Sequence, residues 1–288
     1  MIKKKTIIIA LVFLIIIAIV GVAIYGLLFF SNTTPAFLLP EKGIVEVNSG
    51  SGFVAYTTQT EVDENDIIRT GADSSAVLII YESVLITIEP NTQLSIGDLA
   101  TDNLQIKQQS GSTWNKFTKL NGVTGYTLQT PTSVAAVRGT EFGLNNERLI
   151  VAEGTVQLES NGQTITVYGD EKADIGKGGP VKEKLSEKDI DYMINHLEIQ
   201  TKQLQSLRAR ELKKHASAVK LIQTKLKNEP DSYTVDQMLE AADNGEIDLT
   251  EAKTSVVIKA EWVDNVFDLT RKIQVQRAHV TELRNKKE

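Results

Sequence analysis

The pattern of apolar and polar positions divides the chain into three regions. Residues 6–30 contain no charged side chain and follow Lys3-Lys4-Lys5. Between residues 43 and 179 apolar residues recur at every second position, which is typical of half-buried β-strands. After residue 185 they recur every three or four positions, which indicates amphipathic helices. The chain is therefore predicted to be an α+β multidomain protein, with an N-terminal transmembrane helix, an all-β domain and a long C-terminal α-helical hairpin.

The first apolar segment is long enough to cross a membrane. As a helix, residues 6–30 would extend about 37 Å, more than the ~30 Å of a hydrocarbon core. The segment exceeds the apolar core of a cleavable signal peptide, so we expect an uncleaved signal-anchor. The three lysines favour a single-pass orientation in the plasma membrane, with residues 1–5 cytoplasmic and the bulk periplasmic or on the cell surface. Residues 31–42 are expected to form a stalk.

Residues 43–179 combine short alternating segments with turn signals. Val77/Ile79/Tyr81 and Val156/Leu158 place apolar groups on one strand face, and Pro90-Asn91 and Asn161-Gly162 are typical of turns. Such segments recur at intervals of about ten residues, with no stretch between them long enough for a helical crossover. We expect an all-β sandwich, roll or short solenoid.

The third region begins after the glycine-rich stretch 176–180, which we interpret as a linker. Helices are predicted over about 187–228, 234–244 and 250–285. Two of them start with the spacing of a capping box, at Ser186-Glu187-Lys188-Asp189 and at Thr234-Val235-Asp236-Gln237. Two long amphipathic helices joined by a short one favour an antiparallel hairpin over 185–288. Self-association through this hairpin is an alternative.

Several blocks of the β region together resemble the FecR domain. They are Asp66-Ile67-Ile68-Arg69-Thr70-Gly71, Thr130-Pro131, Ala136-Val137-Arg138-Gly139-Thr140-Glu141-Phe142 and Glu153-Gly154-Thr155-Val156. The resemblance covers about residues 43–176 and departs from many members at Tyr81-Glu82-Ser83. It implies a coiled, solenoid-like β domain, usually extracytoplasmic, without catalytic residues. The motif residues with an implied structural role are Asp66, Thr70, Gly71, Thr130, Pro131, Arg138, Gly139, Thr140, Phe142, Glu153 and Gly154.

Elementary chemistry gives some of these residues a more specific role. Thr130-Pro131 should end a strand or lie at an edge, because proline lacks an amide donor. Gly139 suggests a bulge or a positive φ. Arg138 is expected to pair with Glu141 or Glu153, and binding of an external anion is the alternative.

The composition excludes several kinds of site. The chain has 31 basic and 37 acidic residues, and without the three N-terminal lysines its net charge is −9, so nucleic acid is not an expected partner. It has no cysteine, which excludes disulfides and thiolate metal sites. No catalytic, cofactor-binding or metal-ligating residues are predicted, and no cofactor is expected.

Weaker signals leave alternatives open. The three histidines, His196, His215 and His279, lack metal-binding spacing and are expected on solvated helix faces. Residues 240–251 have a faint calcium-loop pattern, but a helix C-cap followed by an N-cap is favoured. The acidic turn 63–66 is expected to be solvated rather than to act in acid/base catalysis. Core packing is favoured over a carbohydrate-binding face for Trp114, Tyr126 and Tyr56.

Together these features predict a non-catalytic membrane protein that presents its FecR-like domain for ligand binding, protein binding or envelope assembly. Its expected partners are the membrane and an envelope protein or polymer of unknown identity. The alternative is a FecR-type signal-transducing regulator that acts through a separate membrane partner. The best-known proteins with this domain signal through a cytoplasmic tail that binds a sigma factor, and residues 1–5 are too short for that role.

Overall fold

Two nine-stranded sheets form the β part of the chain in the computed structural model, which describes residues 36–118, 123–226, 234–255 and 260–287. Sheet A contains β1 (Ala36–Lys42), β4 (Thr60–Glu61), β6 (Ser75–Ile80), β7 (Val84–Ile88), β10 (Ser112–Phe117), β13 (Glu141–Asn145), β14 (Arg148–Glu153), β17 (Glu171–Gly176) and β18 (Gly179–Glu183). Sheet B contains β2 (Val45–Asn48), β3 (Phe53–Tyr56), β5 (Ile67–Thr70), β8 (Gln93–Asp98), β9 (Leu104–Ser110), β11 (Tyr126–Gln129), β12 (Val134–Val137), β15 (Thr155–Ser160) and β16 (Gln163–Tyr168).

The chain passes back and forth between the two sheets. The strand order is β18-β17-β14-β13-β10-β7-β6-β1-β4 in sheet A and β16-β15-β12-β11-β9-β8-β5-β2-β3 in sheet B. Strands β9 and β11 pair in parallel, and β6 and β7 form one of the antiparallel hairpins. The inward side chains of both sheets make one hydrophobic core that includes Leu78, Ile86, Leu94, Ile106, Phe142 and Val156.

Five helices follow in the described part of the chain. They are α1 (Glu187–Lys214), α2 (Ala216–Leu226), α3 (Val235–Asp243), α4 (Leu249–Ser255) and α5 (Glu261–Asn285). Helices α1 and α5 are antiparallel, since Glu198 in α1 contacts Arg284 near the end of α5 while Leu204 packs with Ile273. Both lie against the outer side of sheet A. The prediction of an α+β chain with C-terminal helices is confirmed.

The helix boundaries differ in part from the predicted ones. Both capping boxes form, at Ser186 and at Thr234. The long first helix is interrupted at His215, whose φ of −110° is not helical, so α1 and α2 replace it. The last predicted helix, about 250–285, likewise corresponds to two helices, α4 and α5. Helix α5 starts after Ala260. Residues 227–233 and 256–259 lie outside the described residues.

Two predicted connecting segments are strands in the structure. The stretch interpreted as a linker is the turn of the β17–β18 hairpin, where Gly176 pairs with Gly179. The second half of the expected stalk is β1, which pairs with β6 and buries Ala36 and Leu38 completely. The segment carries apolar residues because it completes sheet A.

The predicted membrane anchor, residues 6–30, lies outside the described residues, as do residues 1–5 and 31–35. Within the described ranges, no helix is long and apolar enough to cross a membrane. From Ala36 onward, the described residues form one compact unit that includes both the sandwich and the helices.

Candidate functional site

The outer side of sheet A, here called the covered face, lies under helices α1 and α5. Strand β7 is buried at every position, and β6 at all but its first. Leu78 and Ile80 point into the sandwich core, whereas Val77 and Ile79 pack with Leu204 and other helix residues. Each such side chain contributes roughly 1.5–3 kcal/mol by burial. The centre of the contact between sheet and helices is therefore apolar.

A row of charged residues crosses the covered face beside this apolar centre. The strand register places Lys116 opposite Glu141, and Glu141 opposite Glu153. The Lys116 ammonium lies 2.5 Å from the Glu141 carboxylate and 2.8 Å from that of Glu153. The side chains of Lys116 and Glu141 are 5% and 0% exposed. Because an unpaired charge at that depth is strongly destabilising, the two residues depend on each other.

Glu141 also joins the sheet to helix α5. Its carboxylate accepts hydrogen bonds from Trp114 Nε1 at 2.9 Å and from Gln276 Nε2 at 2.9 and 3.1 Å. Trp114 is fully buried in a hydrophobic cluster between sheet A and the helices, separate from the one that contains Val77 and Ile79. One carboxylate of a FecR-like motif block therefore binds a sheet lysine, a sheet tryptophan and a helix glutamine.

Burial and pairing set the protonation of this row. Burial alone would lower the pKa of Lys116, but the charges of Glu141 and Glu153 outweigh it and raise the pKa. Burial alone would raise the pKa of Glu153, and Lys116 outweighs it, so the pKa is lowered. Lys272 of α5 donates to the Thr118 carbonyl at 2.9 Å, and burial lowers its pKa to about 8.

A second polar cluster surrounds Glu89, just after β7. The Tyr192 hydroxyl of α1 donates to its carboxylate, and His196 Nε2 lies 3.1 Å from the same oxygen. The His196 ring stacks on Trp114 with 4.8 Å between ring centroids. Burial acts to raise the pKa of Glu89, but the bonds from His196 and Tyr192 lower it overall. This cluster holds the first half of α1 on the sheet.

Carboxylates at both ends of the helix pair complete the contact. Asp189, in the capping box of α1, lies 2.7 Å from Arg148 and 3.2 Å from Lys172 on β14 and β17. Asp170, in the β16–β17 turn, lies 2.8 Å from His279 and 2.9 Å from Lys286. For Asp170 and Asp189 burial acts to raise the pKa. Hydrogen bonds from Lys286 and His279 lower the pKa of Asp170 overall. Hydrogen bonds from Ser186, and then from Lys172, lower that of Asp189. The helices are thus held by an apolar centre surrounded by titratable pairs.

The motif residues near the start of the FecR-like region have local structural roles. The carboxylate of the buried Asp66 accepts from the Asp63 amide at 2.9 Å. The Thr70 hydroxyl donates to the Glu89 carbonyl at 2.6 Å and accepts from the Thr92 amide at 3.0 Å. The Gly71 carbonyl accepts from the Asn91 amide at 3.1 Å. These bonds tie consecutive turns of the sandwich together.

The later motif residues shape two turns and the core. The Thr130 hydroxyl accepts from the Ser133 amide at 2.9 Å in the β11–β12 turn, where Pro131 is exposed. Gly139 and Gly154 have φ values of +71° and +83°, and a Cβ on Gly154 would overlap the Gly139 carbonyl oxygen. The Thr140 hydroxyl, which donates to the Thr155 carbonyl at 3.0 Å, and the buried Phe142 complete the set.

The expected partner of Glu141 and Glu153 is a different residue. Arg138 is exposed and makes no ion pair within the described part of the chain, and Lys116 pairs with both carboxylates. Arg138 lies in the connection between β12 of sheet B and β13 of sheet A, so it is not on a strand that pairs beside Glu141. Sequence proximity suggested the wrong cation, because the relevant neighbours are set by the β10–β13 register.

The structure also shows where the candidate aromatic residues, a histidine and the calcium-like loop lie. Trp114 and Tyr126 are fully buried, as core packing required, and Tyr56 packs against the core. His196 is buried rather than solvated, because α1 turns that side to the sheet. Residues 243–251 form a helix end followed by a helix start, and the carboxylate of Asp248 accepts from the Thr250 amide. No group of three His, Cys, Asp or Glu residues in the described ranges is placed to hold a metal ion.

Comparison with known proteins identifies the β region. Residues 66–157 match the family model described as "FecR protein", which confirms the resemblance from the turn before β5 to the middle of β15. No curated protein matches the chain significantly. Two crystal structures of a "putative anti-sigma factor" from Parabacteroides distasonis are similar, with 12% identity and a TM-score of 0.37. The similarity covers 41% of this chain and 59% of that protein, and at this TM-score it does not establish a shared fold.

Proposed function

We propose that this chain, which carries a FecR domain over residues 66–157, is a non-catalytic FecR-type signal-transducing regulator. Its described part would lie outside the cytoplasm, with residues 6–30 as the membrane anchor. The signal would pass to a separate membrane partner. The FecR match is the observation that carries the proposal.

The contact between the helices and the FecR domain supports a switching role. Four carboxylates hold α1 and α5 on the sheet through ion pairs or hydrogen bonds: Glu89, Glu141, Asp170 and Asp189. Because an unpaired buried charge is strongly destabilising, a partner would have to replace these polar contacts as well as the apolar contacts at the centre of the covered face. A ligand or partner that binds only the undocked helices would shift the population towards that state.

A second candidate function is the presentation of a binding surface in the envelope. It is favoured by one observation, which is that the outer side of sheet B has alternating exposed and buried positions, as in β15. Both candidate functions use the same membrane anchor and assign no reaction to the chain.

Transcript profiling of a deletion strain tests the regulatory proposal. The strain would be complemented with the wild-type chain, with Gln276→Glu or with Val275→Glu. Gln276→Glu places a second carboxylate beside buried Glu141 and should release α5, whereas Val275 is 49% exposed on the same helix and adds the same charge in solvent. We expect the deletion to change a defined set of transcripts, Val275→Glu to restore it and Gln276→Glu to give an altered profile. An unchanged profile in the deletion strain would overturn the proposal.

A further inference from the structure

The outer side of sheet B, here called the open face, has an unusual chemical composition. Its outward positions follow from the pairing of each strand with the next. Four of them are glutamines, Gln93, Gln105, Gln129 and Gln157, and a fifth glutamine, Gln109, is exposed at the register shift between β8 and β9. Each carries a carboxamide that both donates and accepts hydrogen bonds. Such a repeated pattern across neighbouring strands is not needed for folding, because these side chains point away from the core.

Threonines continue the pattern on the neighbouring strands. Thr127, Thr155, Thr164 and Thr166 also point outward. One row of paired positions crosses five strands as Gln105, Thr127, Ala136, Gln157 and Thr166, without a single charge. Neighbouring strands lie about 4.8 Å apart, so the row offers a hydrogen-bonding group at nearly every step along a straight line.

The few charges on sheet B do not make an ion-binding surface. Its strands contain only Glu46, Arg69, Asp98, Lys107 and Glu159, with a net charge of −1. Arg69 and Glu46 pair with each other at 2.6 Å, and Asp98 binds the Ala100 amide. A polyanion needs clustered basic residues, which this face lacks. A typical protein interface centres on large apolar or aromatic anchors, and the outward positions of the interior strands provide only Ile67, Val134 and Ala136.

Aromatic rings lie at both ends of the open face. Tyr168 on the edge strand β16 is 51% exposed and opposite Thr155. Phe53 on the other edge strand, β3, lies opposite Asn48 with the Arg69 guanidinium 3.7 Å from its ring centroid. Rings of this kind offer an apolar surface next to polar groups. The face thus combines uncharged hydrogen-bonding rows with flanking aromatic rings.

We propose that the open face binds a neutral, extended polysaccharide. Sugar hydroxyls both donate and accept, as carboxamides and threonine hydroxyls do, and a ribbon-like chain can follow a straight row across the strands. Ordered water between the two surfaces would bridge the remaining groups. This binding goes beyond the proposed regulatory function and is measured without any signalling readout.

Binding of the purified full-length chain to insoluble chitin and cellulose tests the proposal, with heparin beads as the polyanionic comparison. The test variant is Gln105→Ala with Gln157→Ala, which removes one half-buried and one exposed carboxamide from the uncharged row. The matched control is Asn195→Ala, which removes an exposed carboxamide from α1 on the opposite side of the sandwich. Thermal unfolding of all three chains shows whether the fold is kept.

We expect the wild type and Asn195→Ala to bind chitin or cellulose but not heparin, and the double variant to bind about tenfold more weakly with an unchanged unfolding midpoint. Absence of wild-type binding to both neutral polymers would overturn the proposal. Equal binding by the double variant would do so too. If the chain instead captures an envelope component, and protease treatment of that component abolishes the capture, the face binds a protein partner. These binding results do not depend on the transcript profile, so each of the two proposals can fail without the other.

Discussion

The two sheets of the sandwich have the same number of strands and one shared core, yet their outer sides differ completely. The covered face of sheet A has apolar residues and paired charges, and its strands β6 and β7 are buried on both sides. The open face of sheet B keeps the alternation of a sheet with one wet side, as in β15. The outward residues therefore determine whether a sheet holds the chain's own helices or remains exposed to solvent.

Removing the helices should have the largest effect on this contrast. A chain ending at Lys184 exposes Val77, Ile79, Leu85, Trp114 and Ile150. The lost burial is on the order of 10 kcal/mol, comparable to the whole stability of a typical domain. We expect the truncated chain to aggregate or to bind an apolar dye strongly. A soluble truncated chain with the unfolding midpoint of the full chain would show that the covered face does not need the helices.

Glu141→Gln should have the next largest effect. The variant leaves the buried Lys116 ammonium with Glu153 as its carboxylate partner, and breaking a buried pair costs about 3–5 kcal/mol. Urea unfolding measures the loss. The matched control is Glu159→Gln on the exposed side of β15, which should leave the midpoint unchanged. Equal effects of the two substitutions would remove the energetic distinction between the faces.

Lys272→Met should have a smaller effect of the opposite sign. Burial lowers the pKa of Lys272 from 10.5 to about 8, a shift of about 3 kcal/mol against the charged form. The folded pKa lies below the unfolded one, so this lysine destabilises the fold fully below pH 8, and the penalty disappears as the pH rises through 10.5. Allowing for the lost bond to Thr118, we expect the variant to be about 2 kcal/mol more stable at pH 7.

The comparison with the wild type at higher pH completes that test. Urea unfolding of both chains at pH 7 and pH 10 should show the advantage of Lys272→Met shrinking with pH. A difference that stays constant, or that favours the wild type at pH 7, would mean that Lys272 is not desolvated under the helices.

Much of the β part could be predicted from the sequence because its signals are local. Period-two alternation and turn residues indicate strands, and the positive φ of Gly139 follows from the chemistry of a single residue. The helix starts at Ser186 and Thr234 were likewise identified by short-range capping patterns. Each of these features depends on residues within a few positions of one another.

The covered face depends on contacts between distant residues. Lys116 and Glu141 are 25 positions apart, and only the β10–β13 register makes them neighbours. The bond from Gln276 to Glu141 spans 135 positions. One available signal pointed to the helix cover: the runs Ala76–Ile80 and Val84–Ile88 are almost continuously apolar, which is typical of strands buried on both faces. An alternating strand with one wet side would not need the outward Val77 and Ile79.

Fluorescence of Trp114 tests most directly whether the helices cover sheet A. Trp262→Phe leaves Trp114 as the single tryptophan, fully buried and stacked on His196 of α1. We predict blue-shifted emission with little acrylamide quenching at neutral pH. At acid pH, below the lowered pKa values of Glu89, Glu153, Asp170 and Asp189, the contact weakens and quenching should rise. Red-shifted, fully quenchable emission from the folded chain at neutral pH would contradict the account.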